Sequence, residues 1–270
     1  MKKLIQIIIG LLIIVPALFL ILPASKLKAG DIPVLTYHKI SDEEGTFSVS
    51  PENFKKMIDE LSRRDFTFLT VDDLSKIIQG RKKLPLKPVL ITFDDGYEDN
   101  YTNAFPILKS YGAKASIFLI GSLVDKPGYL TWDMVSEMSY INLMDFQNHT
   151  FDQHAKIEEG KNKDKTKFSS RYENESEEEY LKRIKDDLIW NNWLIYQHTS
   201  KYPLALAYPG AASNDSVRKI LKDAGIKIAF VGANKRASNI KNLNPYEIRR
   251  FHIKNATDIE KFVNKIEYNK

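Results

Sequence analysis

The sequence predicts an α/β fold built on a parallel sheet. Short apolar segments alternate along the chain with amphipathic segments, which is the pattern of repeated strand–helix units. Residues 88–93 (PVLITF) form a continuous apolar run, as expected of a strand covered on both faces. Seven or eight such units would close into a barrel rather than an open sheet, and the pattern is compatible with both. In either arrangement, functional groups belong at the carboxyl ends of the strands.

Capping residues mark where the helices begin. Ser50 is a good N-cap, and Pro51 suits the first helical position. Ser176 and Glu179 form a capping box before the longest helix. One buried stripe is predicted on the first helix, at Phe54, Met57, Ile58 and Leu61. Strands are predicted at 32–38, 66–69, 88–93, 116–120, 141–147, 204–207, 226–231 and 248–253, and later helices at 98–110, 176–198, 214–223 and 258–267, with Thr70 and Thr131 capping two more.

The first 29 residues differ from the rest of the chain. A basic start is followed by residues 4–22, which are almost wholly apolar. This pattern is typical of a signal peptide or a membrane anchor, and it predicts that residues 30–270 form one domain. We therefore expect that domain to be secreted or held at the extracellular face of the cell membrane.

Charge and cysteine content exclude several classes of protein. The chain has 40 basic and 35 acidic residues, but four lysines lie in the first 29 residues, which contain no acid. The remainder carries 36 basic against 35 acidic residues, so no nucleic-acid partner is expected. Because there is no cysteine, a disulfide, a thiolate metal site and a cysteine nucleophile are all excluded. Any metal must be held by His, Asp or Glu.

Two adjacent carboxylates, Asp94 and Asp95, follow the buried strand in the string ITFDDGY. Adjacent carboxylates repel each other unless a positive group offsets them, and a metal ion would do so. One Asp would then ligate the cation while its neighbour stays free as a base. An alternative is that both merely cap the following helix, and the string alone favours neither interpretation.

Two of the five histidines, His149 and His154, lie within six residues of each other. Their i, i+5 spacing does not place them on one helix face, so they belong on a loop. Taken alone, such a pair is more often hydrogen-bonded or at the surface. Together with one carboxylate, however, two imidazoles form an ordinary ligand set for Zn²⁺, and Co²⁺, Ni²⁺ or Fe²⁺ also fit. His38, at the end of the first predicted strand, is a candidate acid for protonating a leaving amine.

These strings resemble the NodB-homology polysaccharide deacetylases. TFDDGY is followed about fifty residues later by NHTFDQH, and the similarity runs from about residue 32 to residue 253. LTYHKI, the histidine spacing and AYPG (207–210) look most like the branch that deacetylates poly-β-1,6-N-acetyl-D-glucosamine, a biofilm polysaccharide. The resemblance implies a distorted (β/α)7 barrel, a divalent metal and an N-acetylated polysaccharide substrate. The oligomeric state does not follow from it.

The resemblance also assigns roles to residues. It makes Asp94 the general base, His38 the general acid, and Arg250 the group that orients the base and keeps it ionised. The metal ligands are Asp95, His149 and His154. Tyr208, Pro209 and Gly210 lie beside the acetyl group, with the Gly210 N–H directed at the oxyanion.

Some features depart from the family pattern or allow another interpretation. Gly210 replaces an aromatic residue common in the branch, which removes one wall of the sugar pocket. His252 shares a strand face with Arg250 and is an alternative acid, although a packed histidine is the simpler interpretation. The charged segment 156–180 is predicted to be a solvated insertion, or else a mobile lip beside the site. For Trp132, Trp190 and Trp193, core packing is expected rather than stacking on sugars.

Three other functions are compatible with parts of the sequence. A deacetylase of peptidoglycan or of chitin-like chains would use the same chemistry on another polymer. A surface protein that binds polysaccharide without catalysis would not need the full set of acid, base and metal ligands. A glycosidase fits poorly, because its two carboxylates must lie about 5 Å or more apart across the sugar.

Overall fold

Strands and helices alternate through most of the computed structural model, which describes residues 27–211, 215–233 and 236–267. The strands are β1 Asp31–Ile32, β2 Val34–Tyr37, β3 Lys39–Ile40, β4 Ser48–Val49, β5 Thr67–Leu69, β6 Pro88–Asp95, β7 Ala115–Leu119, β8 Met144–Asn148, β9 Ala205–Ala207, β10 Ile228–Ala233, β11 Ser238–Asn239 and β12 Ile248–His252. The helices are α1 Pro51–Arg63, α2 Val71–Ile78, α3 Phe105–Tyr111, α4 Trp132–Tyr140, α5 Glu177–Thr199, α6 Asp215–Leu221 and α7 Ile259–Ile266.

Seven parallel strands close into a barrel. Their order is β2, β12, β10, β9, β8, β7 and β6, and β6 pairs back onto β2 from Val34↔Leu90 to Tyr37↔Phe93. The barrel is irregular: β8 and β9 pair at a single position, and the short strand β5 pairs only with the start of β6. The structure therefore confirms a distorted (β/α)7 barrel and decides between the closed and open sheets.

The predicted helix starts are confirmed. The side chains of Ser50, Thr70, Thr131 and Ser176 each accept a hydrogen bond from the backbone N–H three residues later. The predicted helix over 98–110 is confirmed with one irregularity, because residues 100–104 form a π-helical turn before α3 begins. Pro106 in the first turn of α3 has no N–H to donate, which favours a new helix start there.

The helix α2 closes one end of the barrel. Its Leu74 and Ile77 pack in the same cluster as Leu90, Phe118 and Phe230 from the strands. Because α2 lies where the strands begin, the opposite end, where they terminate, remains open. Functional side chains at the carboxyl ends of the strands consequently surround an accessible cavity.

The predicted signal peptide or anchor lies almost wholly outside the described residues. Residues 1–26 are not described, and Leu27 is buried at the start of the domain. Among the helices of the described ranges, none combines the length and apolar character that a membrane crossing requires.

Candidate metal centre and active site

A cavity of about 470 Å³ opens at the carboxyl ends of the barrel strands. Five of these ends deliver predicted site residues: β2 leads to His38, β6 ends in Asp94 and Asp95, β8 leads to His149, β9 leads to Tyr208, and β12 carries Arg250. The lining also includes residues that the sequence analysis did not single out. They are Thr36, Phe47, Tyr97 and Gly232.

Asp95, His149 and His154 form a candidate metal site. One possible ligand atom from each residue lies within 4.8 Å of the others. Asp95 Oδ1 is 3.4 Å from His149 Nε2 and 3.7 Å from His154 Nε2. This carboxylate oxygen is buried and has no hydrogen-bond partner, although buried polar atoms are normally satisfied. A buried orphan oxygen beside two imidazoles fits a divalent cation.

Surrounding groups set the orientation and the protonation of the two imidazoles. His149 Nδ1 lies 2.8 Å from the Ala207 carbonyl oxygen. Donation of the Nδ1 proton to that oxygen orients the ring with Nε2 towards Asp95. Burial alone would lower the pKa of His149, but the neighbouring Asp95 and Asp94 carboxylates raise it, so a bound cation would take the place of the Nε2 proton. Burial, followed by the charge of His149, lowers the pKa of His154 to about 4, so its imidazole is neutral at neutral pH.

Asp94 is held by a buried bidentate ion pair. Arg250 Nη1 donates to Asp94 Oδ1 at 2.7 Å, and Nη2 donates to Oδ2 at 2.8 Å. Arg250 Nε donates to the Val231 carbonyl oxygen at 3.1 Å, which fixes the guanidinium plane. Burial alone would raise the pKa of Asp94, but Arg250 and then His149 outweigh it and hold the pKa well below its usual range. Asp94 is therefore ionised and oriented.

A left-handed turn separates the roles of the two adjacent carboxylates. Asp95 has φ 73° and Gly96 has φ 79°. A Cβ at Gly96 would lie 2.6 Å from Leu119 Cδ2, so any other residue would force that side chain to shift, and the positive φ also favours glycine. The turn ends β6 and aims Asp95 at the histidines while Asp94 faces Arg250. This geometry explains the DDG string better than helix capping does.

A buried polar face of α5 supports the loop between the two histidines. Asp187 accepts hydrogen bonds from the Phe151 N–H at 2.8 Å, the Asp152 N–H at 2.9 Å and Gln153 Nε2 at 3.0 Å. Asn191 Nδ2 donates to the Thr150 carbonyl oxygen at 3.0 Å. The sequence analysis missed these residues. One sequence signal could have indicated them: Arg183, Asp187 and Asn191 recur every four positions, so these polar residues share one face of the predicted helix with apolar residues.

The candidate acid His38 lies among aromatic rings at the cavity wall. Its ring centroid is 5.4 Å from that of His252 and 4.7 Å from that of Phe47. His38 Nδ1 and His252 Nε2 are both buried without a hydrogen-bond partner. Burial lowers the pKa of His38, and burial followed by the charge of His38 lowers that of His252 to about 4. Both histidines line the cavity, so His252 is not simply a packed core residue.

The AYPG string forms another part of the wall. Tyr208 and Gly210 line the cavity, whereas Pro209 is buried behind them and does not. Tyr208 donates its hydroxyl to the Tyr246 carbonyl oxygen at 3.1 Å, so it presents its ring rather than its hydroxyl. Gly210 has φ 66°. A Cβ at this position would lie 3.3 Å from Thr166 Cγ2. Thr166 of the charged insertion therefore occupies part of the space beside Gly210, where an aromatic side chain was expected from the family pattern.

That insertion is packed against the domain rather than merely solvated. Ile157 and Phe168 are buried, and Tyr180 donates its hydroxyl to the Phe168 carbonyl oxygen. Arg183 of α5 donates to Glu175 and to Gln153, which joins the insertion to the histidine loop. Most of the segment is exposed, as predicted, although the contacts above anchor it to the domain, and Thr166 places it beside Gly210 at the site. Its mobility stays a prediction.

Comparisons with known proteins show the family of the chain. The polysaccharide deacetylase family model matches residues 81–229, more than half of the chain. A Bacillus subtilis protein named as a polysaccharide deacetylase is 38% identical over 125 residues, which span 46% of this chain and 44% of that protein. The poly-β-1,6-N-acetyl-D-glucosamine N-deacetylase of Staphylococcus epidermidis is 32% identical over 220 residues, covering 80% of this chain and 71% of that enzyme.

A solved structure shows the same fold. The de-N-acetylase from Aggregatibacter actinomycetemcomitans superimposes with a TM-score of 0.79 at 23% identity, covering 87% of this chain and 100% of that one. The chain belongs to the polysaccharide deacetylase family. It is a hydrolase that acts on amide bonds, as the matched family and the N-deacetylases among its relatives indicate.

Proposed function

We propose that the protein is a metal-dependent N-deacetylase of poly-β-1,6-N-acetyl-D-glucosamine that works outside the cell membrane. The observation that carries the proposal is the convergence of Asp95, His149 and His154 beside an ion-paired Asp94. The polymer is supported by the names of relatives in Staphylococcus epidermidis and Staphylococcus aureus, the latter 29% identical over 90% of this chain. The location is supported by the apolar run of residues 4–22.

Asp95, His149 and His154 would hold the divalent metal, for which Zn²⁺ fits the mixed carboxylate and imidazole set. Such a metal, when bound, acidifies a water molecule and polarises the acetyl carbonyl. Metal content is the direct test. Purified protein should contain one divalent ion, and His149→Ala should lose it, whereas His198→Ala should not, because His198 stacks on Trp132 away from the cavity. Unchanged metal in His149→Ala would remove the ligand assignment.

Asp94 is the proposed general base. Arg250 keeps its carboxylate ionised, so it can accept the proton of the attacking water. The Gly210 N–H is the proposed donor to the carbonyl oxygen as negative charge develops on it. Asp94→Asn should abolish acetate release from partly acetylated poly-β-1,6-glucosamine while metal stays bound. Full turnover by that variant would exclude Asp94 as the base.

His38 is the proposed acid that protonates the leaving amine, and His252 is the alternative. An activated aryl acetate has a leaving group that needs no protonation, so it separates the acid from the base. His38→Ala should lose amide hydrolysis but retain aryl acetate hydrolysis, whereas Asp94→Asn should lose both. If His252→Ala shows the selective loss and His38→Ala does not, the two roles are exchanged.

The choice of polymer is tested by direct competition. Acetate release is compared on poly-β-1,6-N-acetyl-D-glucosamine, peptidoglycan and a soluble chitin at equal acetyl concentration. The highest kcat/KM is expected on the first polymer. Faster release from either of the others would change the substrate but keep the chemistry. Binding without release by metal-loaded protein would instead support a non-catalytic surface role.

A further inference from the structure

The outer face of α5 carries a stripe of exposed aromatic residues. Trp190, Trp193 and Tyr196 are 47%, 45% and 44% exposed. The two tryptophan rings stack on each other with centroids 5.0 Å apart and planes 19° apart. Tyr202, 48% exposed, extends the row, with its ring centroid 6.2 Å from that of Tyr196. The expectation of core packing is therefore wrong for Trp190 and Trp193. We call these four residues the α5 aromatic stripe.

The fold does not require this stripe. The opposite face of α5 buries Ile184, Leu188 and Ile195 against the domain, together with the polar residues that hold the histidine loop. Trp132, by contrast, is half-buried and stacks on His198. A contiguous group of exposed aromatic rings is uncommon on soluble proteins and usually marks a binding surface.

One end of the stripe abuts the loop that carries the metal ligands. Trp190 packs edge-to-face on Phe151, with ring centroids 6.4 Å apart. Phe151 lies between His149 and His154 in the chain, and its N–H is bound by Asp187 of the same helix. The catalytic cavity of about 470 Å³ is sized for a small ligand, so a polymer must continue beyond it. The stripe begins at the loop whose two histidines line that cavity.

The chemistry of the stripe fits a neutral sugar chain better than a lipid surface. From residue 188 to residue 202, the stretch that carries the stripe has one charged residue, Lys201, whose Nζ donates to Asn142. Attachment to an anionic membrane draws on several basic residues around the apolar face, and this stretch offers only that one. Flat aromatic rings offer apolar faces for the C–H faces of sugar rings, and an N-acetylated polymer brings no charge that needs a partner.

A second copy of the chain is also a poor occupant. Each aromatic side chain buries about 150–250 Å² when fully covered, so four half-exposed rings offer roughly 300–500 Å². A stable interface needs about 800 Å² from each partner. The stripe is too small for that purpose but long enough to support an extended chain.

We propose that the α5 aromatic stripe is a secondary binding surface for the N-acetylglucosamine polymer, which it holds while one unit occupies the catalytic cavity. This inference rests on the proposed function and adds a surface to it. It predicts that long polymers bind in two places, whereas short oligomers bind only in the cavity.

The test compares long and short substrates in the double variant Trp190→Ala, Trp193→Ala. KM for the long polymer should rise about tenfold, with kcat unchanged and kcat/KM for a short N-acetylglucosamine oligomer unchanged. Leu86→Ala is the matched control, because Leu86 is 94% exposed and distant in the fold, between α2 and β6. It should not change KM for either substrate. Circular dichroism checks that the double variant is folded.

Tryptophan fluorescence gives a readout that is independent of activity. The chain has three tryptophans, and two belong to the stripe. Adding the long polymer to the Asp94→Asn protein, in which turnover should be abolished, should shift the tryptophan emission, whereas a short oligomer that occupies only the cavity should not. Unchanged polymer KM and unchanged polymer binding in the double variant would overturn the proposal. The proposal would also be overturned if the double variant lost binding to lipid vesicles, or no longer formed a dimer, while its KM for the polymer stayed the same.

Failure of this inference is distinguishable from failure of the proposed function. If the unsubstituted protein releases no acetate even from the short oligomer, the deacetylase assignment fails. If it releases acetate from both substrates and the double variant does so equally well, only the stripe proposal fails.

Discussion

Replacing Asp145 with asparagine should change how the stability of the protein depends on pH. Asp145 is buried on β8, close to the start of α2. Its Oδ2 accepts a hydrogen bond from the Asp72 N–H at 2.9 Å and another from Gln147 Nε2 at 3.3 Å, and the Ser116 side chain also lowers its pKa. Within the described part of the chain, no Lys or Arg forms an ion pair with it. Burial raises the pKa of Asp145 to about 6.

The direction and the size of the effect follow from this pKa. A carboxyl with a raised pKa binds its proton more tightly in the folded protein, so its contribution to stability is complete below the ordinary value of 3.8 and is lost as the pH rises through about 6. The difference between the two pKa values corresponds to about 3 kcal/mol. An asparagine at position 145 carries no charge at any pH, so the variant should not lose this stability.

The assay is urea unfolding, followed by circular dichroism, from about pH 4 to about pH 8. A chelator in every sample keeps metal occupancy from changing with pH. The unfolding free energy of Asp145→Asn minus that of the unsubstituted protein should increase by about 2.4 kcal/mol across this range, because part of the effect is already lost at pH 4. Asp133→Asn, at an exposed position on α4, is the control and should show no such increase. An increase below about 1 kcal/mol would refute the reasoning, because the ionised carboxylate would then be compensated inside the fold.

Three further predictions concern the site itself. Arg250→Gln leaves the buried Asp94 carboxylate without its cation, so it should lower the unfolding free energy in a urea titration by about 3–5 kcal/mol. A loss below about 1 kcal/mol would contradict a buried ion pair. Gly96→Ala should lower the unfolding free energy by about 1–3 kcal/mol more than Gly112→Ala in the same assay. Both positions have positive φ, but only at position 96 does the added Cβ meet Leu119. Equal losses would mean that the Leu119 contact relaxes. Asp187→Asn removes one of the carboxylate oxygens that accept hydrogen bonds from the histidine loop. It should weaken Zn²⁺ binding about tenfold, measured in competition with a chelating dye. Unchanged affinity would show that the loop keeps its shape without the Asp187 carboxylate.

The sequence alone predicted a metal site and determined the class of fold. A buried apolar strand that ends in Asp94-Asp95-Gly, and a loop with two histidines at a non-helical spacing, are local patterns that can be read without tertiary contacts. Most helix starts were equally local, since Ser50 and Ser176 satisfy backbone N–H groups within their own first turns. The family resemblance then assigned roles to residues that the structure brings together around one cavity.

Only the tertiary structure decided which neighbours each group has. Closure of the barrel depends on pairing between β2 and β6, which are separated by more than fifty residues, and no local pattern encodes that pairing. The ion pair of Asp94 with Arg250 and the support of the histidine loop by Asp187 likewise join distant parts of the chain. Burial is also a property of the assembled fold, so an amphipathic sequence could not show that Trp190 and Trp193 face outward. The physical reason is that residue type and spacing set local backbone preference, whereas solvent exposure and electrostatic partners arise only when separate segments pack.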